Sequence, residues 1–242
     1  MSNFLSLRRL ILLAATSFSL MACQRWPDTA QIEHLGIQAL HGRDQHALQQ
    51  LQGWAESGMP VAQRELALAL TLMENTQQQA LIWLEKAALG QDREAQFHLA
   101  EANYKARWTM PQNYQQARHW YLEASAQGHG QASLMLWRMA KYGEAQPVNL
   151  PDSIKWLQTA SQQGNPQAMF LLSNAYAAGE GVARDPQQAR HWLEQAAELE
   201  YPVAIHELAL QLNQLDNPEE AKRARELLKE ASDERLLNWN RY

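Results

Sequence analysis

Apolar residues recur along this chain at a helical spacing, and the spacing itself repeats. Trp83, Trp120, Trp156 and Trp192 stand 37, 36 and 36 residues apart. Each is followed directly by Leu84, Tyr121, Leu157 or Leu193. Three positions earlier stands Ala80, Ala117, Ser153 or Ala189, and four positions later Ala87, Ala124, Ala160 or Ala196. The next position is small again: Ala88, Ser125, Ser161, Ala197. These offsets place the residues on one face of a 3.6-residue helix. Twelve residues after each Trp a second stripe begins, with Ala95, Ala132, Ala168 and Ala204. It continues four positions on at Leu99, Leu136, Leu172 and Leu208. Gln50 occupies the Trp column of an earlier copy, with Ala47, Leu51, Ala55, Ala62 and Leu66 in register. Leu227 occupies it in a later one, with Ala224, Leu228, Ala231 and Ser232. The pattern predicts six copies of one helix and five of the helix that follows it. A partial leading helix is expected from about Asp28 to His41.

Small residues let two helices approach closely, and the tryptophans and leucines are expected to fill the core between neighbouring pairs. One such hairpin cannot bury its apolar face alone, so the copies must stack into a solenoid. The helix ends agree with this division. Asp185-Pro186 and Asn217-Pro218 read as an N-cap followed by a first helical proline, and Asn113 and Asn149 share the Asp185 column. Glu220 after Asn217 reads as a capping box, and Thr76 with Gln79 reads as another. Gly58, Gly90, Gly128 and Gly164 are placed to stop the second helix of each unit.

The copy from Ala168 to Ala197 contains Leu172, Tyr176, Gly179-Glu180-Gly181-Val182, Asp185, Ala189, Trp192 and Ala196. It resembles a Sel1-like repeat, a relative of the tetratricopeptide repeat with a longer loop. The other copies keep the alanines and leucines and lose most of the Gly-x-Gly-Val loop. The resemblance spans about residues 44–235. It implies an all-α, right-handed α-solenoid of stacked helix-turn-helix units. The first helix of each unit would line a concave groove for a protein or peptide. Two positions before and after the leucine column lie the candidate groove residues. Among the polar ones are Arg64, Glu101, Arg138 and Asn174.

Composition narrows the function. The 242 residues carry a net charge of −5 and are 46% apolar, too apolar for a disordered chain. A pI near 5.9 supplies no basic footprint for nucleic acid. The chain holds no Gly-x-Ser-x-Gly, no phosphate loop and no His-Glu-x-x-His, so it reads as a non-enzyme without cofactor or metal. His119 and His191 precede column tryptophans and read as repeat positions. His34 and His41 share a helix face without a third ligand, Glu94 and His98 read as an ordinary i,i+4 pair, and His129 reads as a turn residue. Trp26, Trp108, Trp137 and Trp239 lie outside the column. Trp108 and Met110 are expected in an exposed loop, and Trp239 to Tyr242 as a terminal cap.

The amino terminus reads as an address. Arg8 and Arg9 precede an apolar stretch from Leu10 to about Leu20, half the length of about 20 residues that a spanning helix needs. Leu20-Met21-Ala22-Cys23 resembles a bacterial lipobox, with the lone cysteine at the lipid-bearing position. The expected division is a signal peptide over 1–22, a lipidated N-terminus and short tether over 23–27, the repeats over 28–235 and a tail or cap over 236–242. The mature chain then carries 19 basic and 26 acidic residues, net −7. Gln24 after the cysteine implies the outer membrane by the same resemblance. The expected function is a membrane-anchored periplasmic adaptor that binds another protein of the cell envelope. Two alternatives stay open: an accessory lipoprotein of exopolysaccharide assembly or export, and a surface-exposed host-interaction factor. A β-lactam-interacting enzyme is disfavoured, because cysteine-rich relatives carry paired cysteines and this chain has none beyond Cys23.

Overall fold

The computed structural model describes residues 26–42, 44–73, 75–215 and 217–239, with side chains to residue 229. Cys23 and the segment before it lie outside the described residues, as do the side chain of Trp239 and residues 240–242. Twelve helices follow one another, and no strand occurs among the described residues. They are α1 (Thr29–Gly42), α2 (Gln45–Glu56), α3 (Pro60–Thr71), α4 (Gln77–Leu89), α5 (Arg93–Lys105) and α6 (Tyr114–Ala126), then α7 (Gly130–Tyr142), α8 (Leu150–Gln162), α9 (Pro166–Ala178), α10 (Pro186–Glu198), α11 (Pro202–Asn213) and α12 (Pro218–Trp239). Each helix packs on its sequence neighbours, which makes six hairpins stacked as an all-α solenoid.

The core is a series of small clusters, each shared by three or four consecutive helices. The alanine columns lie at the helix contacts with almost no exposure, including Ala55, Ala87, Ala124, Ala160 and Ala196. In five of the six second helices the residue after the Trp column is almost fully buried, as Leu51, Leu84, Tyr121, Leu157 or Leu193, while Leu228 in α12 is exposed. The tryptophans themselves are only half-buried, which differs from the core role expected of them. Alanine-spaced backbones leave room for one branched side chain at the centre, and the indole is displaced to the seam between hairpins. There it joins clusters. Trp83 packs against both the α1–α4 and the α3–α5 cluster, Trp120 against the α3–α5 and α5–α7 clusters, and Trp192 against the last two.

Polar side chains stitch the ends of the second helices together. Gln63 Nε2 donates to the Ala55 carbonyl at 3.0 Å, and Gln96 Nε2 to the Ala88 carbonyl at 3.1 Å. Gln127 Nε2 donates to Gln96 Oε1 at 2.8 Å. Gln163 Nε2 reaches the Ser125 carbonyl at 2.9 Å and its Oε1 accepts from Ser133 Oγ at 2.6 Å. That bond makes Ser125 the donor in its 2.6 Å contact with Ser133. Ser161 repeats Ser125 one unit later, but Met169 stands where Ser133 stood, and the buried Ser161 Oγ has no partner.

Three local expectations change. Thr76 does not cap α4; its hydroxyl donates back to the Leu70 and Met73 carbonyls at 2.5 and 2.9 Å. Gly90 keeps φ at −75°, and Gln91 takes the left-handed turn at φ 65° instead. Glycine is needed at 90 for space, since a Cβ there would lie 2.8 Å from Pro60 Cγ. Trp108 and Met110 fold back half-buried onto the α3–α5 cluster rather than standing exposed.

The serine pair gives a direct check. Ser161→Ala removes an unsatisfied buried hydroxyl and is expected to raise the urea midpoint or leave it unchanged. Ser125→Ala strips Ser133 of its donor and is expected to cost about 1 kcal/mol. Equal losses for the two would contradict the ladder.

Candidate interaction face

The first helix of each hairpin (α1, α3, α5, α7, α9 and α11) turns one face away from its partner. Of the residues two before and two after the leucine column, Arg138 and Asn174 are exposed, whereas Arg64, Glu101 and Leu134 are buried, Glu101 against Tyr121 of the partner helix and Leu134 in the cluster with α8. A cleft of about 640 Å³ spans three successive first helices, with Glu33 from α1, Arg64 and Glu65 from α3, and Glu94 and His98 from α5.

Arg64 forms the floor of this cleft. Its side chain is 7% exposed and its donors are taken. Nη1 donates to Asp92 Oδ2 at 2.9 Å, Nη2 to Glu33 Oε1 at 2.7 Å, and Nε to Glu65 Oε1 at 2.9 Å. Asp92 Oδ1 also accepts from the Ala95 N–H at 2.8 Å and so caps α5. One guanidinium thereby ties three repeats together. Burial works to lower its pKa, but Asp92, Glu65 and Glu33 outweigh burial and hold it above the ordinary value. For Glu65 the balance is reversed: burial pushes its carboxyl up against the opposing pull of Arg64.

Glu94 does not pair with His98. It accepts a hydrogen bond from His129 Nε2 at 3.2 Å, while His129 Nδ1 accepts the Ala132 N–H at 3.1 Å and caps α7. The turn residue of the sequence reading is a helix cap that also spans to the previous repeat. Phe97 stacks on its ring at 4.4 Å. The hydrogen bond from His129 holds the Glu94 carboxyl at about 2, below its ordinary 4.5, against the opposing effect of burial. Burial lowers the pKa of His98. No group of three or more His, Cys, Asp or Glu side chains suited to a metal occurs among the described residues.

Along the middle of the array, Glu101 is 9% exposed and its carboxylate accepts from Tyr121 Oη at 2.5 Å and from Lys105 Nζ. Tyr104 Oη donates to Glu144 at 2.8 Å, and the Arg138 guanidinium lies 5.4 Å over the Tyr104 ring. Burial, followed by these carboxylates, raises the pKa of both tyrosines. Arg138 and Asn174 are exposed. Arg138 borders a cavity of about 380 Å³ with Leu134, Tyr142 and Gln167. Asn174 borders one of about 230 Å³ between α7, α8 and α9. Trp137 lines both.

Of the four candidate residues, then, two meet at adjoining cavities, Arg64 lies in a separate cleft, and Glu101 is covered by its partners. The sequence reading missed Asp92, Lys141 and Glu180. It also left Trp137 unassigned, although this is the only tryptophan in a column otherwise held by Ala67, Ala100, Ser173 and Ala209.

Glu94 makes the stability of this end of the array pH-dependent. Its folded pKa lies below its unfolded one, so its contribution is complete above about pH 4.5 and disappears as pH falls towards 2. Glu94→Gln is expected to cost about 1 kcal/mol at pH 7, after allowance for its partial exposure, and nothing at pH 2. Denaturant titrations at a series of pH values check this, and parallel pH profiles for the two proteins would refute it.

Comparison with known proteins follows the hairpins. The Sel1 repeat matches residues 60–92, 93–129, 133–165 and 166–201. No curated protein matches the chain in sequence. Among solved structures, a protective antigen of uropathogenic Escherichia coli with an SLR fold is 24% identical at a TM-score of 0.71, over 85% of this chain and 46% of that one. The chain therefore spans about half the length of that antigen. A Sel1 repeat protein of Oxalobacter formigenes is 22% identical at a TM-score of 0.71, over 84% of this chain and 88% of that one. An immunity protein of Pseudomonas aeruginosa is 17% identical at 0.54, over 86% and 83%. These likenesses are of fold. Four successive matches, covering more than half of the residues and starting from the α3–α4 hairpin, show that the chain belongs to the Sel1 repeat family.

Proposed function

We propose that this Sel1-repeat scaffold mediates protein–protein interaction, as a lipid-anchored periplasmic adaptor holding another protein of the cell envelope on the first-helix face. The observation that carries the reading is the cleft spanning α1, α3 and α5, with two further cavities that adjoin each other at α7 and α9. A surface built from successive repeats offers several recesses, which suits an extended peptide or the edge of a folded protein. Charge is mixed along it, with carboxylates around Arg64 and the exposed Arg138 guanidinium over the Tyr104 ring. Such a face serves orientation and specificity more than bulk adhesion.

The membrane half of the reading rests on the sequence alone. No helix among the described residues is long and apolar enough to cross a membrane. Attachment is assigned to lipid on Cys23, where several acyl chains at about 0.8 kcal/mol per buried CH₂ hold far more firmly than one.

Two measurements test the two halves separately. Cys23→Ser in the full chain is expected to abolish palmitate labelling and release the protein from membranes; labelling that survives the substitution removes the lipobox assignment. Crosslinking in intact cells is expected to trap a discrete envelope protein. Arg138→Glu and Asn174→Ala are each expected to reduce that product several-fold at unchanged expression. A product indifferent to both substitutions would move the contact off this face.

A further inference from the structure

The cavity between α7, α8 and α9 has a counterpart one repeat earlier, built at the same place with different side chains. The register equates Lys141 with Tyr104, Leu157 with Tyr121, Ala175 with Met139, Asn174 with Arg138 and Glu180 with Glu144. In the earlier copy the space is full. Tyr104, Tyr121 and Met139 are 6%, 0% and 0% exposed, the two rings meet edge-on at 6.3 Å, and the Tyr104 hydroxyl donates to both Glu144 oxygens at 2.8 Å. In the later copy the two tyrosines and the methionine are gone. Trp137, in the column of Ala100, gives back one ring, and about 230 Å³ stays open. The walls are Trp137, Ile154, Leu157 and Leu171, and Glu180 stands at the mouth with Lys141 Nζ 2.8 Å from its Oε1.

We propose that this cavity is a socket for the side chain of a tyrosine presented by the partner protein, its ring held among Leu157, Leu171 and Trp137 and its hydroxyl donating to Glu180. The preceding copy supplies a precedent, since Tyr104, in the register of Lys141, lies in the equivalent space and donates to the equivalent acid. The volume lies below the roughly 300–1,000 Å³ of small-molecule pockets, so it suits one side chain. The lining suits an aromatic ring with a donor at its tip: the walls are apolar, and the Glu180 carboxylate keeps acceptor capacity beside Lys141 that phenylalanine would leave unused. Leu150 on its rim is 39% exposed, and Tyr142, which lines the adjoining cavity, is 61% exposed. An aromatic anchor seated in a pocket within such a rim has the anatomy of an interface hot spot.

The identity of the occupant as part of a protein rests on the proposed function; the chemistry of the socket is tested without it. Full-length protein with labelled methyl groups is titrated with p-cresol, the tyrosine side chain itself, and with toluene as control. Saturable shifts of the Ile154, Leu157 and Leu171 methyls are expected, with p-cresol preferred over toluene. Glu180→Gln is expected to reduce that preference about five-fold, the equivalent of one hydrogen bond. Ala175→Met and Leu157→Tyr rebuild the earlier copy, and each is expected to abolish the shifts while raising the unfolding midpoint. Methyl groups unmoved by p-cresol up to its solubility limit overturn the proposal, as do shifts that persist in the filled variants. If neither filled variant folds, the wild-type and Glu180→Gln titrations decide. In the cellular crosslinking experiment, loss of the product in Ala175→Met supports the socket as the partner's anchor. A product retained in a variant that no longer binds p-cresol overturns that role and leaves the scaffold reading standing.

Discussion

Close approach of paired helices is the constraint on which the rest of this structure depends. Each contact is made through columns of alanine, and a methyl group is all that fits there. Ala87, Ala124, Ala160 and Ala196 are fully buried, and beside each of them lies one larger buried residue, Leu84, Tyr121, Leu157 or Leu193. Close packing at a narrow seam leaves no room for an indole, so the tryptophans work between hairpins. Trp83, Trp120 and Trp192 each bridge successive clusters and so help to join separate hairpins into an array, because a repeat's stability comes largely from its neighbour interfaces. Enlarging an alanine would push the seam apart, and shrinking a tryptophan would loosen the joint between two clusters; the two columns carry different parts of one packing problem.

Polar groups obey the same geometry. Helix ends brought close by alanine seams bury their carbonyls, and those carbonyls need donors. Gln63 and Gln96 supply them from the next first helix, and Gln127 and Gln163 extend the chain of bonds across units. Arg64 is the costlier version. A buried guanidinium is tolerated because Asp92, Glu65 and Glu33 surround it, and Asp92 is in turn fixed by the backbone it caps. The three carboxylates come from three different places in the chain, so the network reports that α1, α3 and α5 are correctly stacked.

The solenoid was legible because repetition multiplies a weak signal. One run of a small residue, Trp three positions on, a Leu or Tyr next and Ala three further is an ordinary amphipathic helix, while four in register name the seam. The same columns could not tell which of two adjacent large residues goes deepest, because that depends on the distance between axes, and the expected tryptophan core was displaced by one position. Arg64 looked like a groove residue by its offset from Leu66 and proved to be a floor, since the groups that bury it come from Glu33 and Asp92, 31 and 28 residues away. His129 looked like a turn residue between two glycines and became a cap because α7 begins at Gly130. Thr76 had a capping sequence and spends its hydroxyl on the preceding helix. For Arg64 the deciding neighbours lie in other repeats, and for Thr76 they lie at the end of the preceding helix of its own hairpin.

Where units repeat, function is written in the departures from the column. A position that merely builds the solenoid is free to keep the same residue in every copy, and most do. The space at Tyr104 and Tyr121 is filled, tied to two acids and covered by Arg138. One unit on, smaller side chains, a misplaced tryptophan and a lysine–glutamate pair leave it open. Closing it would need only side chains already used next door. An unfilled volume forfeits dispersion contacts and costs stability in proportion to its size, so filling it would stabilise the array. A fold that holds the remedy in its own neighbouring repeat and leaves the gap open gives up stability at that point, and the exchange is sensible where something outside the chain completes the packing.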